Sequence, residues 1–228
     1  MKVFLHVGMH KTATTFLQAV IFSKIKNVNF IHNFELGSKV YEDKLNIISN
    51  EGFSGNTYHP FKSAEERYIK ADRLKAMFPD AYVLVGTRMH LTWMPSLYSQ
   101  YLKRGGALTY EKWKENVDPD YFDYDRYITY LKKLFGEKKV HVYKFEDLKE
   151  NHHKFVLGIC AFLGVDVPEY ENKVYQKGFT PGQKESMRKI NKIFKSSQNP
   201  SGKLPFEAFR YVLDMVRKTD KPKELRNV

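Results

Sequence analysis

One segment constrains the fold more than any other. Ala81-Tyr82-Val83-Leu84-Val85-Gly86-Thr87 is apolar at nearly every position, not at every second one. A strand with alternating residues buries one face, whereas a strand apolar throughout must be covered on both. Such strands belong to parallel sheets, whose crossover connections lay helices over each face. Residues 2–7 read as another short buried strand, and Phe16, Leu17, Val20 and Ile21 then recur at helical spacing. Further strands are expected near 29–31, at 45–49 and at 139–143. Helices are expected at 64–77, at about 91–103, at 124–135, through the Cys160 run to Gly164, and near 183–195 and 205–217. Asp123 or Asp125 suits the N-cap of the 124–135 helix, and Gly136 follows its end. The expected architecture is three-layer α/β, with a mostly parallel five-stranded sheet and a helical C-terminal elaboration. No repeat or long linker interrupts it. Residues 1–228 therefore read as one domain, a core of about 1–180 followed by a helical segment of about 181–228.

Composition narrows the class of partner. The net charge of +12 points to an anion: nucleic acid, a lipid head group, an acidic glycan or a polyphosphorylated nucleotide. Part of it is a solvated basic tail between Lys218 and Arg226. Many of the 15 tyrosines and 17 phenylalanines fall at core-like positions, and no helix-turn-helix or RNA-recognition signature accompanies them. Specific nucleic-acid binding is therefore not expected. The single cysteine, Cys160, lies in an apolar run and cannot form an internal disulfide, which suits a reducing, cytoplasmic setting. No apolar run reaches the roughly 18 residues of a membrane span, and the apolar opening is too short for a signal peptide.

The chemistry concentrates in Gly8-Met9-His10-Lys11-Thr12-Ala13-Thr14-Thr15, between the first strand and the first helix. At such a junction backbone N–H groups and the helix dipole favour an anion. Lys11 adds a full charge, and Thr12, Thr14 and Thr15 add hydroxyls. A nucleoside-triphosphate loop ends in Gly-Lys-Ser/Thr, but this one ends in Ala13-Thr14-Thr15 with its lysine two residues earlier. A magnesium-dependent nucleotide kinase is therefore the weaker alternative, beside a non-catalytic nucleotide- or nucleic-acid-binding protein. A second cation, Arg88, stands where the 81–87 strand ends, with Ser96 eight residues on in the next helix. Both can converge on one phosphate, the arginine through a planar fork.

The segment Phe4-Leu5-His6-Val7-Gly8-Met9-His10-Lys11-Thr12-Ala13-Thr14-Thr15-Phe16-Leu17-Gln18 resembles the 5′-phosphosulfate loop of bacterial-type sulfotransferases that use 3′-phosphoadenosine 5′-phosphosulfate (PAPS). The segment from Val83 to Tyr101 resembles that family's 3′-phosphate motif. Weaker likenesses are Val140-His141-Val142-Tyr143-Lys144-Phe145-Glu146-Asp147-Leu148, Ala161-Phe162-Leu163-Gly164-Val165, and Tyr175-Gln176-Lys177-Gly178-Phe179. The resemblance covers roughly residues 2 to 180, and its first two motifs are the specific ones. It departs at Ala13, where the family usually has glycine. It implies the P-loop nucleoside triphosphate hydrolase-like fold and sulfuryl transfer from PAPS, leaving 3′-phosphoadenosine 5′-phosphate (PAP). It also implies nucleotide contacts from His10, Lys11, Thr12, Ala13, Thr14, Thr15, Arg88, Ser96, Lys177 and Gly178.

Sulfuryl transfer, like phosphoryl transfer, depends on positioning and electrostatics. Lys11 would stabilise charge on the leaving 5′-phosphate. A hydroxyl or amine acceptor needs a base, and either Glu51 or His59 is placed for it after the third strand. Glu146-Asp147 reads as a helix start and His152-His153 as a solvated pair, so no metal is expected. Lys39, Lys44, Lys62, Lys103 and Arg104 suit an acidic glycan or lipid head group as acceptor.

Overall fold

The computed structural model describes residues 1–55, 64–171, 179–205 and 211. Five strands form one sheet: β1 (Lys2–His6), β2 (Val28–His32), β3 (Leu45–Ser49), β4 (Tyr82–Thr87) and β5 (Val140–Lys144). Their order is β2-β3-β1-β4-β5, and every neighbouring pair is parallel. The α/β architecture follows from the apolar strands. Phe4, Ile47 and Leu84 lie under Phe16, Leu17, Val20, Val156, Ile159 and Leu163 on one face. By the two-residue period, buried Leu5, Ile48, Val83 and Val85 face the other way.

The described residues form two compact units, which are taken separately. The first holds 1–55, 64–93 and 118–171, including the whole sheet. Its first helix, α1 (Thr14–Phe16), passes into a π-helical turn, Leu17–Ile21, and a 3-10 turn, Phe22–Lys24. Its second face is met by a helix at Tyr124–Phe135 that contacts β4 and β5, and α2 (Glu65–Met77) packs against that helix. That helix is capped by Asp123, whose side chain accepts from Arg126 N, and Gly136 follows it at φ 105°.

The helix after β4, α3 (His90–Lys103), crosses into the second unit, which holds 94–117, 179–205 and 211. Within that unit Trp113, on the short helix α4 (Tyr110–Glu115), is buried against Tyr98 and Tyr101. The sequence pattern did not suggest α4, which one turn of mixed polarity and a Thr109 cap define. The Tyr124–Phe135 helix of the first unit is α5, followed by α6 (Phe145–Glu150) and α7 (His152–Leu163), which ends at a left-handed Gly164. In the second unit, α8 (Pro181–Asn191) opens with a Thr180–Gln183 capping box. It stops short of the expected 195, because Lys195 and Ser196 pair with Leu204 and Asn199 instead. Asn191 marks the end by donating its amide to the carbonyls of Leu102 and Gly106. The expected 205–217 helix lies outside the described residues apart from its first residue, Leu204's neighbour Pro205, and Tyr211. No described helix is long and apolar enough to cross a membrane.

Candidate active site

The strand order creates the site. From central β1 the chain leaves toward β2 on one side, and from its neighbour β4 it leaves toward β5 on the other. A crevice opens where connections diverge, at the carboxyl ends of β1 and β4. Lys11 follows β1 and Arg88 follows β4, so both stand at that crevice. Their proximity is direct: Arg88 Nη1 donates to the Lys11 carbonyl at 3.0 Å.

Side chains occupy three successive carbonyls of the loop between Gly8 and Ala13. The Met9 carbonyl accepts from the hydroxyls of Thr12 at 2.6 Å and Thr14 at 3.4 Å. The His10 carbonyl accepts from the buried Trp93 indole at 2.8 Å. The Lys11 carbonyl is taken by Arg88. With three successive carbonyls occupied by side chains, the loop offers an anion N–H groups rather than oxygen lone pairs. The path needs left-handed backbone at Lys11 (φ 68°) and Ala13 (φ 71°). Ala13 therefore carries strain where glycine would carry none. Thr12 and Thr14 are buried, and their hydroxyls brace the loop through the Met9 carbonyl.

Across from the loop, Glu51 opens a 3-10 turn, Glu51–Ser54, capped by the Asn50 side chain. Glu51 Oε2 lies 3.0 Å from His10 Nδ1, and His10 Nε2 donates to the Gly55 carbonyl at 3.1 Å. A carbonyl only accepts, so Nε2 carries a proton. Burial pushes the Glu51 pKa up, but the His10 hydrogen bond and charge, with Lys11, outweigh it and hold the carboxyl below its ordinary value. The His10 side chain is 7% exposed and that of Glu51 35%, so Glu51 is the member of the pair that meets the outside. Burial lowers the Lys11 pKa; Glu51 opposes this and Arg88 adds to it. Burial likewise lowers that of Arg88 against Glu146, and the guanidinium lies 4.2 Å from the Phe145 ring centroid.

No model of a known protein family matches this sequence, and no curated protein matches it. Solved structures do. A sulfotransferase from Alicyclobacillus acidocaldarius superposes with a TM-score of 0.51 at 16% identity, over 84% of this chain and 92% of the other. The mouse sulfotransferase SULT7A1 complexed with PAP superposes with a TM-score of 0.50 at 15% identity, over 74% of this chain and 59% of the other. The chain has the sulfotransferase fold.

In this sulfotransferase fold Ser96 is half-buried on α3, in the second unit. His59, Lys177 and Gly178 lie outside the described residues. Glu146 does not cap its own helix: α6 has Lys144 at its N-cap, and Glu146 Oε1 accepts from Met89 N at 3.1 Å. His152 is no solvated partner of His153 either, since its ring packs against Phe16 and Tyr170 at 4.8 and 5.4 Å. Among the described residues no group of acidic, histidine or cysteine side chains is arranged to hold a metal.

Sequence reasoning missed a buried polar group beneath the sulfotransferase-fold loop. His6 Nδ1 lies 2.7 Å from Ser49 Oγ and Nε2 lies 2.9 Å from the Tyr143 hydroxyl. Burial drives the His6 pKa down to about 3 against a smaller upward pull from Glu51, so the imidazole is neutral. The signal was a histidine inside an otherwise apolar strand, together with glycines at Gly8 and Gly86. A Cβ on Gly8 would lie 2.8 Å from His6 Nε2, and one on Gly86 2.4 Å from the Tyr143 ring.

Proposed function

We propose that this chain, read as a single cytoplasmic domain, is a PAPS-dependent sulfotransferase acting on a hydroxyl or amine. The observation that carries the reading is the crevice itself: an anion-facing loop holding Lys11, joined to Arg88, with an ionised Glu51 opposite. When bound, PAPS supplies the sulfuryl group to the acceptor. The chain's residues fit that donor. The N–H groups of the loop, with Thr15 at the first helical turn, receive the 5′-phosphosulfate, and Lys11 neutralises charge that grows on the 5′-phosphate as the S–O bond breaks. Arg88 holds the 3′-phosphate; Ser96, Lys177 and Gly178 are the residues to which the sequence resemblance gives the same task.

A cleft of about 400 Å³, lined by His152, His153, Val167, Pro168 and Tyr170, suits the adenine ring. It adjoins the loop through Phe16, whose ring meets both His152 and Tyr170. Glu51 takes the acceptor's proton as the new bond to sulfur forms. His10, already bonded to Glu51 and to the Gly55 carbonyl, orients that carboxylate and is too buried to replace it. For the acceptor, the basic side chains favour an acidic glycan or lipid head group.

Two measurements test the reading. Thermal-shift titration should show stabilisation by PAP that exceeds stabilisation by ATP with magnesium. Labelled PAPS, screened against glycans, lipids, phenols and amines, should label one acceptor class. Preferential binding of ATP with magnesium would replace this reading with the kinase alternative.

A further inference from the structure

The polar side chains beneath the loop connect into one line that spans the sheet. Gln18 Nε2 donates to Ser49 Oγ at 2.9 Å. Ser49 is fully buried, and among the described residues its other hydrogen-bond neighbour is His6 Nδ1. Its single proton therefore goes to that nitrogen, because a buried hydroxyl proton without an acceptor is costly. A neutral imidazole that accepts at Nδ1 carries its proton on Nε2, which then donates to the Tyr143 oxygen. Thr14 Oγ1 lies beside His6 Nε2 at Gly8, and the hydroxyls of Thr12 and Thr14 both donate to the Met9 carbonyl, so the one proton of the Tyr143 hydroxyl can serve only one of these two oxygens.

The line crosses β4 without touching a side chain there. Tyr143 is on β5 and His6 on β1, with β4 between them. Tyr143 passes over its register partner Gly86, where a Cβ would overlap its ring. Gly8 leaves similar room for His6 Nε2 and Thr14 Oγ1 at the start of the loop.

From this arrangement we infer that His6 and Tyr143 are positioning residues for the donor's 5′-phosphosulfate: the line from Gln18 through Ser49, His6 and Tyr143 to Thr12 and Thr14 sets the direction of the Met9 carbonyl, and so the loop's affinity for an anion. The inference rests on the sulfotransferase reading and adds to it a role for groups that never touch the nucleotide. It assigns them to one end only, because the line terminates under the 5′ loop and leaves Arg88 untouched.

The test compares two nucleotides by isothermal titration calorimetry: PAP, which carries both phosphates, and adenosine 3′-monophosphate, which lacks the 5′ group. Tyr143→Phe keeps the ring over Gly86 and removes the hydroxyl. Ser49→Ala leaves that hydroxyl but frees the His6 tautomer. Tyr143→Phe should weaken PAP about tenfold, the worth of one hydrogen bond in an anion site, with adenosine 3′-monophosphate unchanged. Ser49→Ala should move the same ratio in the same direction by a smaller factor. Circular dichroism on each variant, showing wild-type secondary structure, separates this from misfolding. If the wild-type chain binds both nucleotides and either folded variant leaves the ratio of affinities unaltered, or weakens both nucleotides equally, the positioning role is overturned and the donor reading stands. If the wild-type chain binds neither nucleotide, the donor reading falls and takes this role with it.

Discussion

Arg88 donates to the Lys11 carbonyl at 3.0 Å, so the side chain of one cation sets the backbone of the other. Arg88 also reaches Thr92 Oγ1 through Nε at 3.1 Å. A guanidinium can make both contacts from one plane, whereas an ammonium is a point charge on a flexible stem.

Arg88→Lys keeps the charge and loses the fork. PAP affinity should fall by at least about tenfold, since charge-assisted hydrogen bonds are worth roughly 1.5–3 kcal/mol each. Calorimetric titration measures it. Wild-type affinity in the variant would mean that Arg88 contributes charge alone.

Ala13 adopts φ 71° on a path that the N–H groups of the loop require. Ala13→Gly should raise stability by about 1 kcal/mol, because glycine reaches that region without the Cβ clash. The midpoint of urea unfolding reads it. A lower midpoint would show that the loop holds no strain at this residue.

Glu51 has a folded pKa below its ordinary value. The folded state thus binds its proton less readily than the unfolded chain, and the stabilisation is present above the ordinary carboxylate range. It is lost as pH falls through the folded pKa. Glu51→Gln should flatten the acid limb of the melting temperature against pH. The same variant should retain PAP binding and lose turnover by about 10²–10⁴-fold, the usual contribution of a positioned base. Undiminished turnover would remove Glu51 from the proposed chemistry.

Gly86 lies beneath the Tyr143 ring, with 2.4 Å between the ring and the position of a Cβ. Gly86→Ala should cost about 1–3 kcal/mol, the penalty for overpacking a closed core. Adding Tyr143→Leu should recover part of the loss, which a double-mutant cycle of thermal unfolding detects. Additive losses would show that the two residues do not share that space.

Much of the architecture was legible because burial on both faces leaves a local mark. β3 was expected at 45–49 and occurs at Leu45–Ser49; β4 was expected from Ala81 and begins one residue later. The loop was equally visible, since a strand, a glycine, a lysine and a helix lie consecutively in the chain. Less visible were the inward turn of Thr12 and Thr14, the pairing of His10 with Glu51, and His6 beneath them. A hydroxyl beside a lysine looks the same in sequence whether it faces an anion or a carbonyl. The choice depends on Tyr143 and Trp93, which arrive from other strands and helices.

By itself the amino-acid sequence determined the parallel sheet and the two cationic strand ends, because apolar periodicity and turn chemistry act between near neighbours. Only the tertiary structure decided the order of the strands, and with it which residues meet. His6 reaches Ser49 across 43 positions and Tyr143 across 137, through parallel neighbours and a glycine gap that no local pattern encodes. Hydrogen bonds of that span form only after the sheet has brought its strands together, so their partners are a property of packing.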